Sequence, residues 1–179
     1  MKKKINVIDL DGTLIPYDSF RAMLKHYLFV PGTGVQLIYL SILRKLGFCS
    51  RKCFAERTYF VCKSHSTYDK FSQLVAERAL EAINQEVLAR INEHTDDNTK
   101  NILCSASPQD YVTKIADAFK WQGIGSHFDN NSFVHMYGEN KLKTINKLFP
   151  IEKFDYNYSI SDSKSDMKLL TYFREYTLL

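Results

Sequence analysis

Four cysteines among 179 residues, Cys49, Cys53, Cys62 and Cys104, show none of the paired spacings that hold zinc. The five histidines are scattered and form no metal-binding pair. No internal repeat or low-complexity segment is present, which sets aside solenoids and disordered linkers. No apolar stretch is long enough to span a bilayer unbroken: Pro31, Gly32 and Gly34 interrupt the most apolar one, Tyr27 to Leu46. The first apolar run is cut by Asp9 and Asp11, so it does not read as a secretory signal, and a reducing cytoplasm is the expected setting. Neither charge sign dominates. Twenty-four Lys and Arg against 20 Asp and Glu give +4, which suits an anionic substrate but is commonly mere solubility. Lys2, Lys3 and Lys4 read as a solvated terminus, so no nucleic-acid partner is expected. With 45% hydrophobic residues, the chain has material for one core domain and an insertion.

What the chain does have is Asp9-Leu10-Asp11-Gly12-Thr13-Leu14, directly after the strand-like Ile5-Asn6-Val7-Ile8. Two carboxylates so close repel each other unless a cation or a proton-transfer role offsets the repulsion. Gly12 permits a sharp turn and a close ligand approach. An Asp-Gly hairpin would need a second strand. Instead Phe20, Met23, Leu24, Tyr27 and Leu28 recur at helical spacing, so the hairpin reading fails.

A second strand-like run, Ile102-Leu103-Cys104, leads into Ser105-Ala106-Ser107-Pro108-Gln109-Asp110. Ser107 reads as a helix cap and Pro108 as the first helical residue, with Tyr111, Val112, Ile115, Ala116 and Phe119 on one face. Ser105 then lies between a strand end and a helix N-terminus, a place suited to a phosphate oxygen. A third run, Tyr158-Ser159-Ile160-Ser161, ends at Asp162, and Asp166 opens a further helix through Met167, Leu169, Leu170 and Phe173. Taken singly, Asp162 could be a cap, Asp166 a helix-start residue and Lys141, in Gly138-Glu139-Asn140-Lys141, a surface lysine.

The four segments in this order resemble the haloacid dehalogenase superfamily across nearly the whole chain. Asp18-Ser19-Phe20 and the Ser-Ala-Ser-Pro form are similar to its phosphoserine-phosphatase-like branch, which carries a helical cap between the first two motifs, and to phosphatidylglycerophosphate phosphatases. The resemblance implies that Asp9 is a nucleophile forming an aspartyl-phosphate and that Asp11 is the general acid and base. It implies Mg²⁺ held by the Asp9 carboxylate, the Asp11 carbonyl and Asp162, with Asp166 in support. Gly12, Thr13, Ser105, Ala106 and Lys141 are implied for the phosphoryl group, Lys141 balancing charge on the aspartate and Thr13 ordering the loop. Ser161 stands where the family commonly has glycine, a departure expected to alter the loop slightly and to leave Asp162 in place.

The fold expected is α/β: a Rossmann-like parallel sheet flanked by helices, residues 1–18 and 96–179, with an inserted α-helical cap, 19–95. One cap helix is suggested by Phe20 to Tyr27 and another by Phe71, Leu74, Val75, Ile83, Val87 and Ile91. Tyr176 to Leu179 reads as a last strand. The Tyr27–Leu46 stretch is read as cap helices packing on each other in preference to membrane contact, and as the region where substrate is selected. The core loops from Phe128 to Tyr137 are the alternative place for selection. The function expected is Mg²⁺-dependent hydrolysis of a small phosphorylated metabolite such as a phosphoserine-like, sugar or polyol phosphate. A lipid phosphatase, a phosphotransferase and a non-catalytic phospholigand-binding protein stay open, and oligomeric state is not readable.

Overall fold

The computed structural model describes residues 2–130 and 132–179. Strand β1 (Lys3–Ile8) is followed by five helices, α1 (Ser19–Leu28), α2 (Thr33–Lys45), α3 (Arg51–Lys63), α4 (Tyr68–Glu81) and α5 (Gln85–Glu93). The sheet resumes with β2 (Thr99–Pro108), α6 (Gln109–Ala118), β3 (Gln122–Asp129), β4 (Ser132–Val134) and α7 (Glu139–Leu148). β5 (Phe154–Ser161), a 3₁₀ turn at Lys164–Asp166, α8 (Met167–Leu170) and β6 (Glu175–Leu178) complete the chain. The strand order is β4-β3-β2-β1-β5-β6, with β1 central and parallel to both neighbours.

Side-chain alternation along the strands divides the apolar interior between two faces. Ile5, Val7, Ile102, Cys104 and Tyr156 pack with Ile145, Phe149, Leu169 and Phe173. Ile8, Leu103, Tyr158 and Ile160 pack on the other face with Tyr111, Val112 and Ile115 of α6 and with Val87 and Ile91 of α5. Each such fully buried side chain contributes about 1.5–3 kcal/mol. Asn6 is the buried exception in β1. Its amide donates to Asn101 Oδ1 at 2.9 Å and to the His94 carbonyl at 3.1 Å, and its oxygen accepts from Asn157. A buried amide is tolerated when satisfied, and this one ties the returning end of the helical insertion to the three central strands.

Four features differ from the sequence reading. The sheet is mixed, because β4 runs antiparallel to β3 in a hairpin where only loops are expected between Phe128 and Tyr137. β2 extends through Pro108, whose ψ of 132° is extended, so α6 begins at Gln109 and Ser107 caps nothing. The helix suggested by Phe71 to Ile91 is two: the Asn84 side chain accepts from Glu86 and Val87 amides and starts α5 afresh. The Tyr27–Leu46 stretch packs by half only. Leu37 and Leu40 are buried, while Val35, Ile38, Tyr39 and Ile42 face outward.

Candidate active site

The switch in connection order lies between β1 and β5, and the ends of these strands with β2 form the crevice. A cavity of about 400 Å³ opens there, with Asp9, Asp11, Ser105, Ala106, Lys141, Asp162 and Asp166 in its wall. These residues come from four separate segments of the chain. The sequence-derived candidates therefore converge, with Gly12 and Thr13 forming the turn beneath them.

Asp9 follows β1, its amide donating to the Ile160 carbonyl at 3.0 Å, which continues the sheet by one residue. Its Oδ1 accepts from Lys141 Nζ at 2.6 Å, and the same ammonium donates to Asp166 Oδ2 at 2.6 Å. All three side chains are buried. Burial pushes Asp9 up to about 6; the Lys141 ammonium pulls it back, and the charges of Asp166 and Asp11 add to the rise. Burial also works against a charged Lys141, but the two facing carboxylates outweigh it and hold its pKa above that of a free lysine. Removing this lysine would leave two buried carboxylates facing each other, a costly arrangement.

Thr13 links two loops, its hydroxyl accepting from the Asp162 amide at 2.9 Å and donating to Asp9 Oδ2 at 3.4 Å. Gly12 has φ +75°, and a Cβ there would lie 2.2 Å from Asp162 Oδ2. The glycine is thus required twice, by the left-handed turn and by the approach of Asp162. Ser161, where the resemblance implies glycine, donates to Asp166 Oδ2 at 2.9 Å and accepts from the Ser163 amide. The departure noted in the sequence fixes Asp166 from a second side.

Asp11 sits in a cradle of donors. Its Oδ1 accepts from the Ser19 amide at 2.6 Å, and its Oδ2 from Ser107 Oγ at 2.7 Å and Ser105 Oγ at 3.0 Å. Ser107 Oγ also contacts Ser19 Oγ at 2.9 Å. Neither Ser19 nor Ser107 is singled out by sequence as a site residue, because serines before helices are common and usually only cap. The first residue of α1 therefore holds a carboxylate of the crevice directly.

The outer wall is formed by Phe20 and Leu24 of α1, Arg51 and Phe54 of α3, and His135 and Tyr137 beyond β4. The Arg51 guanidinium lies 4.4 Å above the Tyr137 ring, a cation–π contact. No residue between Tyr27 and Leu46 lines this cavity, so the expectation that this stretch selects substrate finds no support in its wall. Tyr39 and Gln36 line a separate groove.

Mg²⁺ can be tested against these side chains. Asp162, although exposed, is pushed up by partial desolvation, with Asp166 and Asp11 adding to it against the pull of Lys141. Carboxylates crowded around a single buried lysine are the donor set a hard divalent cation relieves. Among the described residues no three Asp, Glu, His or Cys side chains form a ready cage. Two carboxylates, a backbone carbonyl and waters suffice for Mg²⁺, which keeps several waters. The residues fit the ion.

The family model described as haloacid dehalogenase-like hydrolase matches residues 7–171. Among solved structures, a protein of unknown function from Bordetella pertussis Tohama I aligns over 99% of this chain and 90% of its own, at TM-score 0.74 and 18% identity. A phosphoserine phosphohydrolase-like protein from Francisella tularensis aligns over 98% and 86%, at TM-score 0.63 and 16% identity. A phosphoserine phosphatase, solved as a phospho-aspartyl intermediate analogue, aligns over 99% and 87%, at TM-score 0.61 and 13% identity. No curated protein matches the sequence. These likenesses show a shared fold, and with the family match over most of its length they identify the chain as a member of the haloacid dehalogenase-like hydrolases.

Proposed function

We propose that the protein is a phosphomonoesterase that transfers the phosphoryl group of a small phosphorylated substrate to Asp9 and then to water. The observation that carries this is the buried Asp9 carboxylate at the tip of β1, paired with Lys141 and facing the same cavity as Asp11 and Asp162. In the first step Asp9 attacks phosphorus, the bond to the ester oxygen breaks, and Asp11 gives its proton to that oxygen. In the second, Asp11 takes a proton from water, which attacks phosphorus and releases phosphate, restoring both aspartates. To act this way Asp11 exchanges part of its cradle for substrate, and Ser105 and Ser107, freed from it, turn toward the phosphoryl oxygens beside the Ala106 backbone. Lys141 stays fixed between Asp9 and Asp166, so the charge lost by Asp9 on phosphorylation is replaced by that of the phosphate in the same pocket. Mg²⁺, held by Asp9, the Asp11 carbonyl and Asp162, would neutralise phosphate charge when bound.

The division into a core, 1–18 and 96–179, and a cap, 19–95, belongs to this reading, as does a cytoplasmic setting. The part of the insertion that would close over substrate is α1 and α3, which already reach the cavity. Arg51 beside Tyr137 would hold an anionic portion of the leaving group, and Phe20, Leu24 and Phe54 an apolar portion.

Phosphate release from a panel of phosphorylated metabolites and detergent-dispersed lipid phosphates tests the reading. Release is expected with Mg²⁺, lost on chelation by EDTA and restored by Mg²⁺. Full release after exhaustive chelation, or none from any ester with the metal present, would contradict it.

A further inference from the structure

A second hollow, about 530 Å³, holds none of the catalytic carboxylates. It lies between α2 and α3, with Tyr39, Leu40, Arg57, Phe60 and Phe128 among its lining residues. Beside it, α2 carries two apolar stripes. One, through Leu37 and Leu40, is buried; the other, Val35, Ile38, Tyr39, Ile42 and Leu46, recurs at i, i+3, i+4, i+7 and i+11 and faces outward. Val35 is 71% and Leu46 63% exposed, and Phe48 just beyond is 79% exposed. Single exposed apolar residues are ordinary, but a continuous helical stripe running into an aromatic loop is an interaction surface.

Charge identifies the occupant. Between Thr33 and Lys63 the only acidic residue is Glu56, against Arg44, Lys45, Arg51, Lys52, Arg57 and Lys63. Arg44, Lys45, Lys52 and Arg57 are exposed, and among the described residues none of these four pairs with a carboxylate. An apolar stripe flanked by unpaired cations matches an anionic bilayer surface, where apolar side chains enter the headgroup boundary and Lys and Arg meet lipid phosphates. A second copy of the chain is disfavoured, since it would bring the same cations face to face. None of the described helices is long and apolar enough to cross a membrane, so contact of this kind lies on the surface. We infer that the α2 face and the Phe48 loop dock the protein peripherally onto anionic lipid. α3 would then separate the bilayer from the catalytic cavity, since Phe54 faces the cavity and Arg57 and Phe60 the groove.

Cosedimentation with vesicles tests this directly, without turnover, so its outcome is independent of the phosphatase reading. Binding is expected to vesicles of phosphatidylglycerol in phosphatidylcholine, with little to phosphatidylcholine alone, and high salt should release it. Lys45→Glu and Arg57→Glu should each weaken it by about fivefold or more, since each removes one cation near the surface and adds an anion. Val35→Ser combined with Ile42→Ser should weaken it by about tenfold or more. Each variant should keep wild-type hydrolysis of p-nitrophenyl phosphate or, if none is measurable, a wild-type thermal melt, showing that it is folded. In an Ile42→Trp variant, emission should shift to the blue on adding anionic vesicles. Absence of binding to anionic vesicles, or binding that none of these substitutions alters, would overturn the inference. So would a lipid-free dimer, seen by sedimentation equilibrium, that Val35→Ser with Ile42→Ser dissociates.

Discussion

The strand ends around Asp9 and the outer face of α2 are built on opposite terms. At the strand ends, side chains from four segments fix one another: Lys141 joins Asp9 and Asp166, Thr13 joins Asp9 and Asp162, and Ser105, Ser107 and Ser19 converge on Asp11. On α2, the large apolar side chains Val35, Ile38, Tyr39 and Ile42 keep about half or more of their surface exposed. The first region is organised within the chain, as charge-transfer chemistry requires if donors are to be aimed before reaction. The second gains its contacts from outside. The insertion is itself divided, since α1 and α3 line the catalytic cavity while the exposed face of α2 does not.

Breaking this contrast should have its largest effect at Asp9. Asp9→Asn keeps the shape and removes the nucleophilic charge, so phosphate release should fall to background while the thermal melt stays cooperative. Asp11→Asn should follow with a loss of about 10²- to 10⁴-fold, the range for general acid–base groups, measured as initial rate on p-nitrophenyl phosphate. Lys141→Met should cost about 3–5 kcal/mol of stability in urea unfolding, as expected when a buried charge loses its partner. The division within the insertion is sharpened by specificity. Leu24→Ser and Phe54→Ser should reorder a substrate panel, whereas Ile38→Ser and Ile42→Ser should leave the order unchanged.

The smallest effect concerns His135, which faces the same cavity. Burial, with Arg51 and Lys52 adding like charge, pushes its imidazolium down to about 4 from 6.5. A group held neutral in this way contributes stability that is present above pH 6.5 and lost as pH falls through about 4. His135→Gln should therefore make the decline of the urea midpoint over that interval shallower, and an unchanged slope would assign the acid loss to other groups.

Much of the site was legible because its signal is local. An apolar run ending in Asp9, another ending near Ser105 and a third ending in Asp162 each announce a strand tip, whereas Lys141 reads as a surface lysine by itself and is reached only through the family resemblance. What was not legible depends on contacts between distant segments. Ser107 has the sequence of a helix cap, yet its hydroxyl is taken by Asp11, 96 residues earlier in the chain. Arg51 opens an unremarkable helix, and only the fold sets it over Tyr137. In α2 both stripes are apolar, so periodicity cannot say which one packs; the packing of α1 and α3 decides in favour of Leu37 and Leu40. The α4–α5 break is not legible because Ala82 and Ile83 suit a continuing helix, and the Asn84 cap prevails over that propensity.

The central claim is that Asp9 carries the phosphoryl group during turnover. Acid-quenching the enzyme in steady state with Mg²⁺ and p-nitrophenyl phosphate, reducing it with borohydride and mapping its peptides by mass tests that directly. An aspartyl-phosphate is reduced to homoserine, so homoserine is expected at position 9, only when substrate was present, and not in Asp9→Asn. Steady turnover with Asp9 unmodified, or with the modification at another carboxylate, would contradict the account.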